Sequence, residues 1–529
     1  MTEFPAIQNA IEIYGVDQVR LNHAKPVPPV GPKQILLKIE ASGICFSDTK
    51  LMHAFDHHPR KSEVLAGLTA GELAQIPTYR PGSQPIVPGH EPVARIVAVG
   101  NEVTKHRVGE RVLVQTDYRH LPTASSNASF GYNFDGALEE YALVDERVVL
   151  EPGTGERFLI PVSDAPAASA IALIEPWACV QASYAWPERQ APKAGGKALV
   201  VGDAEGTDEL FAASGSVDHV SVVAEAGDGY DDIVYSGSDP DDVEALGTKL
   251  AGGGIMAIVA HGGSFGRRVK IDVGRVHYDL IRYVGTTGDD ARDAYARIPS
   301  TCELRAGDRV AVIGAAGPMG LMHAVRTAVS GIEGLTLDAV DVDDDRLARL
   351  AKVLGPIAEQ HGLPVRVINS KNQPLEAGYT YVAVMVPVPV LLAQAIDLTG
   401  QNSIVNAFAG FAIGTLAELD LDGIVSRGVY LVGTSGSRIV DMHTVLHLVE
   451  QGVVDTNISL DAVSGMAGVP EAIEAVNNRT SGGKIMVYPT LGDLGYVRVA
   501  EMARTLPHVA AKLNDGLWTK EAEDALLGR

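Results

Sequence analysis

Asp308–Gly320 reads DRVAVIGAAGPMG, and this stretch decides the fold. Val310–Ile313 is an apolar run without polar alternation, as in a strand buried on both faces of a parallel sheet. Gly314, Gly317 and Gly320 follow at a G-x-x-G-x-x-G spacing, with Pro318 and Met319 opening a helix. Such a turn lets the backbone approach a pyrophosphate, whose charge meets the helix N-terminus. Asp341 closes the next apolar strand, LDAVD, where a carboxylate can accept both hydroxyls of a ribose. A 2′-phosphate would be repelled there, and Val342 offers no compensating cation, so NAD is expected rather than NADP. Downstream, TYVAVMVP, SIVNAFAG and YLVGTSG continue the alternation of strand and helix that makes a doubly wound parallel sheet.

The same programme stands upstream in weaker form. KAGGKALVVG (193–202) parallels RAGDRVAVIG (305–314), and YVGTTGDDARDA (283–294) parallels LVGTSGSRIVDM (431–442). The second copy is about 36 residues longer in its middle, as if the first had lost a strand–helix unit. GDAEG keeps Gly202 and Gly206, but the position matching Asp341 is Ala224. Glu225, one residue on, would point to the opposite face of a continuing strand. The first copy is therefore expected to be degenerate, without a nucleotide, and architectural in its use.

Before these blocks, Gln34–Glu40, Pro92–Gly100, Arg111–Gln115 and Ala137–Val144 read as short strands between Pro and Gly turns, an all-β, partly open barrel. Three segments of this region carry metal-ligand chemistry: GICFSD (43–48), the Gly-His-Glu of 89–91, and IEPWACV (174–180). Cys45, His90 and Glu175 offer one thiolate, one imidazole and one carboxylate, a set that suits a catalytic zinc with an open position. Asp48 can orient His90 through its other ring nitrogen. A cysteine that merely fills a core is the competing reading on residue types alone. The 44 residues between Cys45 and His90 should carry some helix and form a rim near the metal. His57, His58, Arg60 and Lys61 in that rim either meet a substrate phosphate or stay solvated.

A chain of 529 residues is long enough for several cores. Its net charge of −23 argues against nucleic acid or anionic membrane as a partner. Three cysteines without C-x-x-C exclude a disulfide framework and a four-cysteine zinc site. The opening MTEFPAIQNAIEIYG has no basic segment followed by an apolar core, so it is not read as a signal peptide. No apolar run approaches the roughly 20 residues that span a bilayer, and the expected location is the cytoplasm.

Taken in chain order, GICFSD, GHEPVARIVAVG, GERV and IEPWACV resemble the zinc-containing medium-chain dehydrogenase/reductase family. The EP-x-x-C-V segment and FGYNFDGALEEY (130–141) are most like its sorbitol-dehydrogenase-like and sorbose-phosphate-reductase-like members. The resemblance covers about 30–185 and 303–490. It implies a GroES-like barrel with two Rossmann-like domains, the first degenerate. It also implies Cys45, His90 and Glu175 as zinc ligands and Glu91 as an alternative ligand beside the metal. Ser47 would pass the substrate hydroxyl proton outward, and Lys484 would lie near the pyrophosphate. The chain departs from the family in lacking any cysteine over 115–137, so one catalytic zinc and no structural zinc are expected. A longer rim and the extra Rossmann-like block are further departures.

The expected domains are a catalytic domain over 1–190, a degenerate block over 191–300 and an NAD-binding domain over 301–437, with a return to the catalytic domain over 438–495 and a helical tail over 496–529. The implied activity is hydride transfer between NAD(H) and a secondary alcohol or ketone: a small-molecule polyol, sugar or sugar phosphate. A zinc- and NAD-containing lyase or isomerase, and a nucleotide sensor on the same scaffold, are the alternatives. Family members dimerise by pairing cofactor-domain sheets, which leaves a homodimer, or a monomer whose degenerate copy makes an intramolecular pseudo-dimer.

Overall fold

The computed structural model describes residues 4–529; Met1–Glu3, the start of the segment read above for a leader, lie outside them. The chain divides into two compact units, one running to Cys179 and resuming at Ser437, the other Val180–Gly436.

The first unit is built on an eight-stranded sheet. From one edge it runs Val497–Arg498, Leu460–Ser464, Lys484–Val487, Gln34–Ile44, Glu91–Val99, Arg111–Val114 and Leu159–Pro161, with Tyr141–Asp145 also paired to Gln34–Ile44. The two edge strands do not pair with each other, so the barrel stays open. Gln34–Ile44 is the hub and is buried along nearly its whole length. Its last residues fix the register that matters: Gly43 faces Glu91, and Ile44 faces Ile485. The strand expected from Ala137 begins only at Tyr141. Ala137 and Leu138 instead donate their amides to Gly89 and Pro88 carbonyls, at 2.9 and 3.0 Å, and so brace the segment before His90.

The C-terminal residues close this unit. Glu523 is buried and accepts the amides of Ala168 and Ser169 at 2.6 and 2.8 Å, at the N-terminus of helix Ala168–Ala172. Tyr488 Oη donates to the same carboxylate at 2.9 Å. Trp518 Nε1 donates to Ser169 Oγ at 3.1 Å. Four polar contacts thus hold the segment that leads into the Glu175 helix.

The second unit holds two parallel sheets. The first runs Ser216–Val220, Lys197–Val201, Tyr230–Ser236, Leu250–Val259 and Arg282–Thr286. The second runs Val365–Asn369, Thr336–Asp341, Arg309–Ile313, Tyr379–Val384, Thr399–Asn406 and Tyr430–Val432. Strand for strand they match, except that Val365–Asn369 and the helix before it, Asp344–Gln360, have no counterpart in the first sheet. That strand–helix unit is the surplus in the middle of the second copy.

Register corrects one expectation. Val201 pairs with Val220, and Ile313 pairs with Val340, so the counterpart of Asp341 is Ser221, not Ala224. The first copy's strand ends at Val220 and the chain turns into the short helix Val223–Glu225, so counting along the sequence overshoots. Glu225 accordingly stands in that turn rather than on a continuing strand. The helix after the first glycine turn is also stunted, Thr207–Leu210 against Pro318–Val329. A four-residue helix gives a pyrophosphate almost no aligned dipole.

The two sheets share one apolar core that includes Ile233, Met256, Phe411 and Leu431. Val269–Asp272 pairs antiparallel with Leu416–Leu419 across the blocks. The outer strands Arg282–Thr286 and Tyr430–Val432 run alongside each other. Between them Glu188 accepts from Arg282 Nε at 2.9 Å and from Tyr430 Oη at 2.5 Å, while Arg282 Nη2 reaches the Gly433 carbonyl at 3.2 Å.

Candidate active site

Cys45 follows the last residue of the hub strand and is the N-cap of helix Phe46–Ala54. Asp48, in the first turn of that helix, ties two of the expected ligands together. One carboxylate oxygen accepts the Cys45 amide at 2.9 Å. The other accepts the Gly89 amide at 3.2 Å and meets His90 Nδ1 at 3.0 Å. Burial works against the Asp48 charge, but His90 and the two amides outweigh it and hold the carboxyl below its ordinary value. An ionised Asp48 holds a proton on Nδ1, so Nε2 is the nitrogen left to face a metal.

Ligand atoms of Cys45, His90 and Glu91 all lie within 4.8 Å of one another. Glu175 stands outside that group, on helix Ile174–Ala185, with its carboxylate 3.6 Å from Cys179 Sγ. The acid that the structure gathers with the thiol and imidazole is therefore Glu91. Its place depends on Gly43: a Cβ there would fall 2.1 Å from Glu91 Oε2.

The donor set fits a divalent cation. Glu91 Oε2 is buried and has no hydrogen-bond partner among the described residues. Burial and then the like charge of Glu91 push the Glu175 carboxyl up to about 7. Among the described residues, the cation paired with this acidic cluster is Lys484, whose Nζ meets Glu91 Oε1 at 2.5 Å. A thiolate, an imidazole and two carboxylates are the ligand types zinc takes. Lys484, expected at the pyrophosphate, thus makes its ion pair at the metal cluster, in the first unit.

Ser47 is half-buried on the Cys45 helix, and its hydroxyl has no partner among the described residues. The rim divides. Tyr132 packs against His90, ring centroids 5.4 Å apart, and against His58 at 5.1 Å. Arg60 lies over the same Tyr132 ring and pairs with Asp117 at 2.9 Å. The His57 side chain is 87% exposed and turns away. Lys61 is buried and gives its ammonium to the Arg80 and Gln84 carbonyls, so it is a structural lysine.

In the second unit, Gly314 has a φ of 84°, and the Gly317 amide closes the turn on the Gly314 carbonyl at 3.3 Å. Gly317 is the N-cap of Pro318–Val329, with Pro318 and Met319 in its first turn. A Cβ at Gly320 would fall 2.2 Å from the Gly314 carbonyl, so only glycine lets this helix sit so close to its strand. Asp341 accepts the Ala316 amide at 3.1 Å and the Val342 amide at 2.7 Å, which turns its carboxylate toward the loop. The residues present fit a dinucleotide.

Comparison with known proteins bears on this arrangement. Residues 31–153 match the alcohol dehydrogenase GroES-like domain. The uncharacterized protein YggP of Escherichia coli K12 is 26% identical over 43% of this chain and 57% of its own length. Mannitol-1-phosphate 5-dehydrogenase of Aliivibrio fischeri is 29% identical over 42% of this chain and 57% of its own length. The chain thus spans a little over half of these relatives. A crystal structure of 2R,3R-butanediol dehydrogenase from Bacillus subtilis aligns with a TM-score of 0.54 at 18% identity, over 91% of this chain and 99% of that one. That likeness concerns the fold alone.

An open GroES-like sheet joined to parallel nucleotide-type sheets defines the class as alcohol-dehydrogenase-like. Within it, the first unit is similar to zinc-type alcohol dehydrogenases of the medium-chain dehydrogenase/reductase family. Among the described residues no helix is long and apolar enough to cross a membrane.

Sequence reasoning missed three things here: the Lys484–Glu91 pair, the Glu523 clamp, and the Ser236–His261–Asp289 cluster in the first parallel sheet. Only the glutamate had a local signal, its place directly after His90.

Proposed function

We propose that the chain is a zinc-dependent oxidoreductase that moves a hydride between NAD(H) and a secondary alcohol or ketone of a polyol, sugar or sugar phosphate. The gathered Cys45, His90 and Glu91, with an orphaned carboxylate oxygen, carry this reading. Zinc supplies Lewis-acid polarisation of the substrate oxygen, and the nicotinamide supplies the hydride acceptor. Cys45 and His90 would hold the metal with Glu175 or Glu91 as the acid. Asp48 keeps the His90 lone pair aimed inward. Ser47 would take the substrate hydroxyl proton and pass it outward. Tyr132 and His58 wall the site and exclude water. Gly314–Gly320 would cradle the pyrophosphate and Asp341 the ribose, which favours NAD over NADP. The kinship with a mannitol-1-phosphate dehydrogenase supports the polyol class. All three cysteines are free, in keeping with a reducing cytoplasm.

The test joins metal analysis of the purified chain to NADH absorbance across polyols, sugars and their phosphates, with NAD and NADP side by side. One zinc per chain and NADH formed on a secondary alcohol are expected. A chain that retains no zinc and oxidises none of the panel overturns the reading.

The first sheet stands at the outer edge of the second and closes it, through the Glu188–Arg282–Tyr430 contacts and the strand pair Val269–Asp272 with Leu416–Leu419. We therefore propose an intramolecular pseudo-dimer, in which the Arg282–Thr286 and Tyr430–Val432 edges face each other rather than a second copy. Sedimentation should give the mass of one chain; a stable homodimer would exclude the idea.

A further inference from the structure

Three side chains that the metal centre does not use come together at the carboxyl ends of the first parallel sheet. Ser236 ends strand Tyr230–Ser236, His261 follows strand Leu250–Val259, and Asp289 follows strand Arg282–Thr286. Ser236 Oγ lies 2.7 Å from His261 Nε2, and His261 Nδ1 lies 2.6 Å from Asp289 Oδ1. We propose that Ser236, His261 and Asp289 form a second catalytic site, a nucleophilic serine centre for acyl transfer from small carboxylic esters. It does not rest on the metal centre or on NAD.

The proton assignment follows from the donors available. An ionised Asp289 can only accept, so Nδ1 carries the ring proton and Nε2 of the neutral imidazole faces the serine hydroxyl as a base. Ser236 Oγ also donates to the Asp203 carbonyl, so its single proton swings from that carbonyl to Nε2 when the serine reacts. His261 itself is held at a φ of 49°, in the left-handed region. A non-glycine residue there costs on the order of 1–3 kcal/mol and persists only where its surroundings enforce it. Here they do: the Ala260 and Gly262 amides bond the Thr286 and Thr287 carbonyls at 3.0 and 2.8 Å, and the Gly263 amide bonds Ala260 at 2.7 Å. On the Asp289 side, its carbonyl accepts the Glu205 amide at 2.9 Å.

The duplication supplies an internal control. Strand register carried into the second sheet sets Met385 opposite Ser236 and Gly410 opposite His261. The alignment of YVGTTG with LVGTSG sets Ser437 opposite Asp289. None of the three groups recurs there. The triad therefore belongs to the copy that lost the ribose carboxylate and the long helix, at the carboxyl ends of the strands, the side on which such sheets place ligands. Ser236 is half-buried, and the side chains of His261 and Asp289 are 37% and 68% exposed, so the site is open to small esters.

In the reaction, Ser236 Oγ bonds the ester carbonyl carbon while its proton passes to His261 Nε2. The carbon–oxygen bond to the leaving alcohol breaks, and that oxygen takes the proton from His261. Water then attacks the acyl-serine while His261 removes its proton; the bond from the acyl carbon to Ser236 Oγ breaks, and His261 returns the proton to Oγ. The products are one carboxylic acid and one alcohol, with no oxidant or reductant needed.

The test uses the full chain with a fluorophosphonate probe, adduct mapping by mass spectrometry, and 4-nitrophenyl acetate hydrolysis. The expected adduct is on Ser236, and Ser236→Ala should remove both the adduct and 4-nitrophenol release. His261→Asn keeps a residue that tolerates the left-handed φ but has no basic nitrogen. It should slow labelling by on the order of 10²-fold, the usual worth of a positioned base. Labelling of Ser236 no faster than that of other serines in the wild-type chain, or an unchanged rate in His261→Asn, overturns the proposal.

Discussion

Cys45→Ser is expected to strip the protein of its zinc and to lower turnover by on the order of 10³-fold, since Lewis-acid polarisation is worth several kcal/mol and each ~1.4 kcal/mol is tenfold. The substitution is well chosen physically. Cys45 is the N-cap of helix Phe46–Ala54, and serine is a preferred residue there. The Cys45 amide still reaches Asp48, so helix and sheet should survive while the soft thiolate is lost. Asp48→Asn grades the effect. It touches no metal but removes the charge that holds His90, so a 10–100-fold loss of metal affinity is the scale expected. Metal content by mass spectrometry and NADH turnover on the same samples check both. Full zinc and full turnover in Cys45→Ser would end the metal account.

How much of this was legible in the chain differs from residue to residue. Cys45 and His90 could be found because each stands at the end of a strand whose apolar pattern is plain, beside a glycine that marks the turn. Which of the two candidate acids, Glu175 or Glu91, joins them was not legible. It depends on Gly43 standing opposite Glu91 in the hub pair, and register is a property of two strands rather than of either one. The same limit explains the ribose position of the first copy. Reading the apolar run His219–Val223 as the strand lands on Ala224, whereas the strand pairs place Ser221 there, because the strand ends at Val220. The Asp308–Gly320 reading succeeded for the opposite reason: strand, turn and helix N-terminus are contiguous, so local chemistry specifies them. Ser236, His261 and Asp289 lie 25 and 28 residues apart with no motif around them. Only the parallel sheet gathers them.

Lys484→Met carries the largest expected effect on stability, about 3–5 kcal/mol in chelated protein, the range for removing one partner of a buried ion pair. Lys484 and Glu91 are 5% and 0% exposed, and their contact is 2.5 Å. Burial alone would push the lysine down, but the Glu91 charge outweighs it and holds the ammonium above its ordinary value. Methionine fills similar space and offers no charge. Glu91 Oε1 then loses the one ion-pair partner it has among the described residues, where Oε2 already has no hydrogen bond. Denaturant unfolding should show a lower midpoint with an unchanged slope, the signature of a native-state loss. A metal ion beside Glu91 would supply the missing positive charge. The same variant should therefore lose less stability with zinc bound than after chelation, and Lys484→Met with Glu91→Gln should lose less than the sum of the two changes. A loss below about 1 kcal/mol in the chelated single variant would show that Glu91 is solvated or protonated without its lysine. In that case its orphaned oxygen would no longer count as a sign of a missing cation.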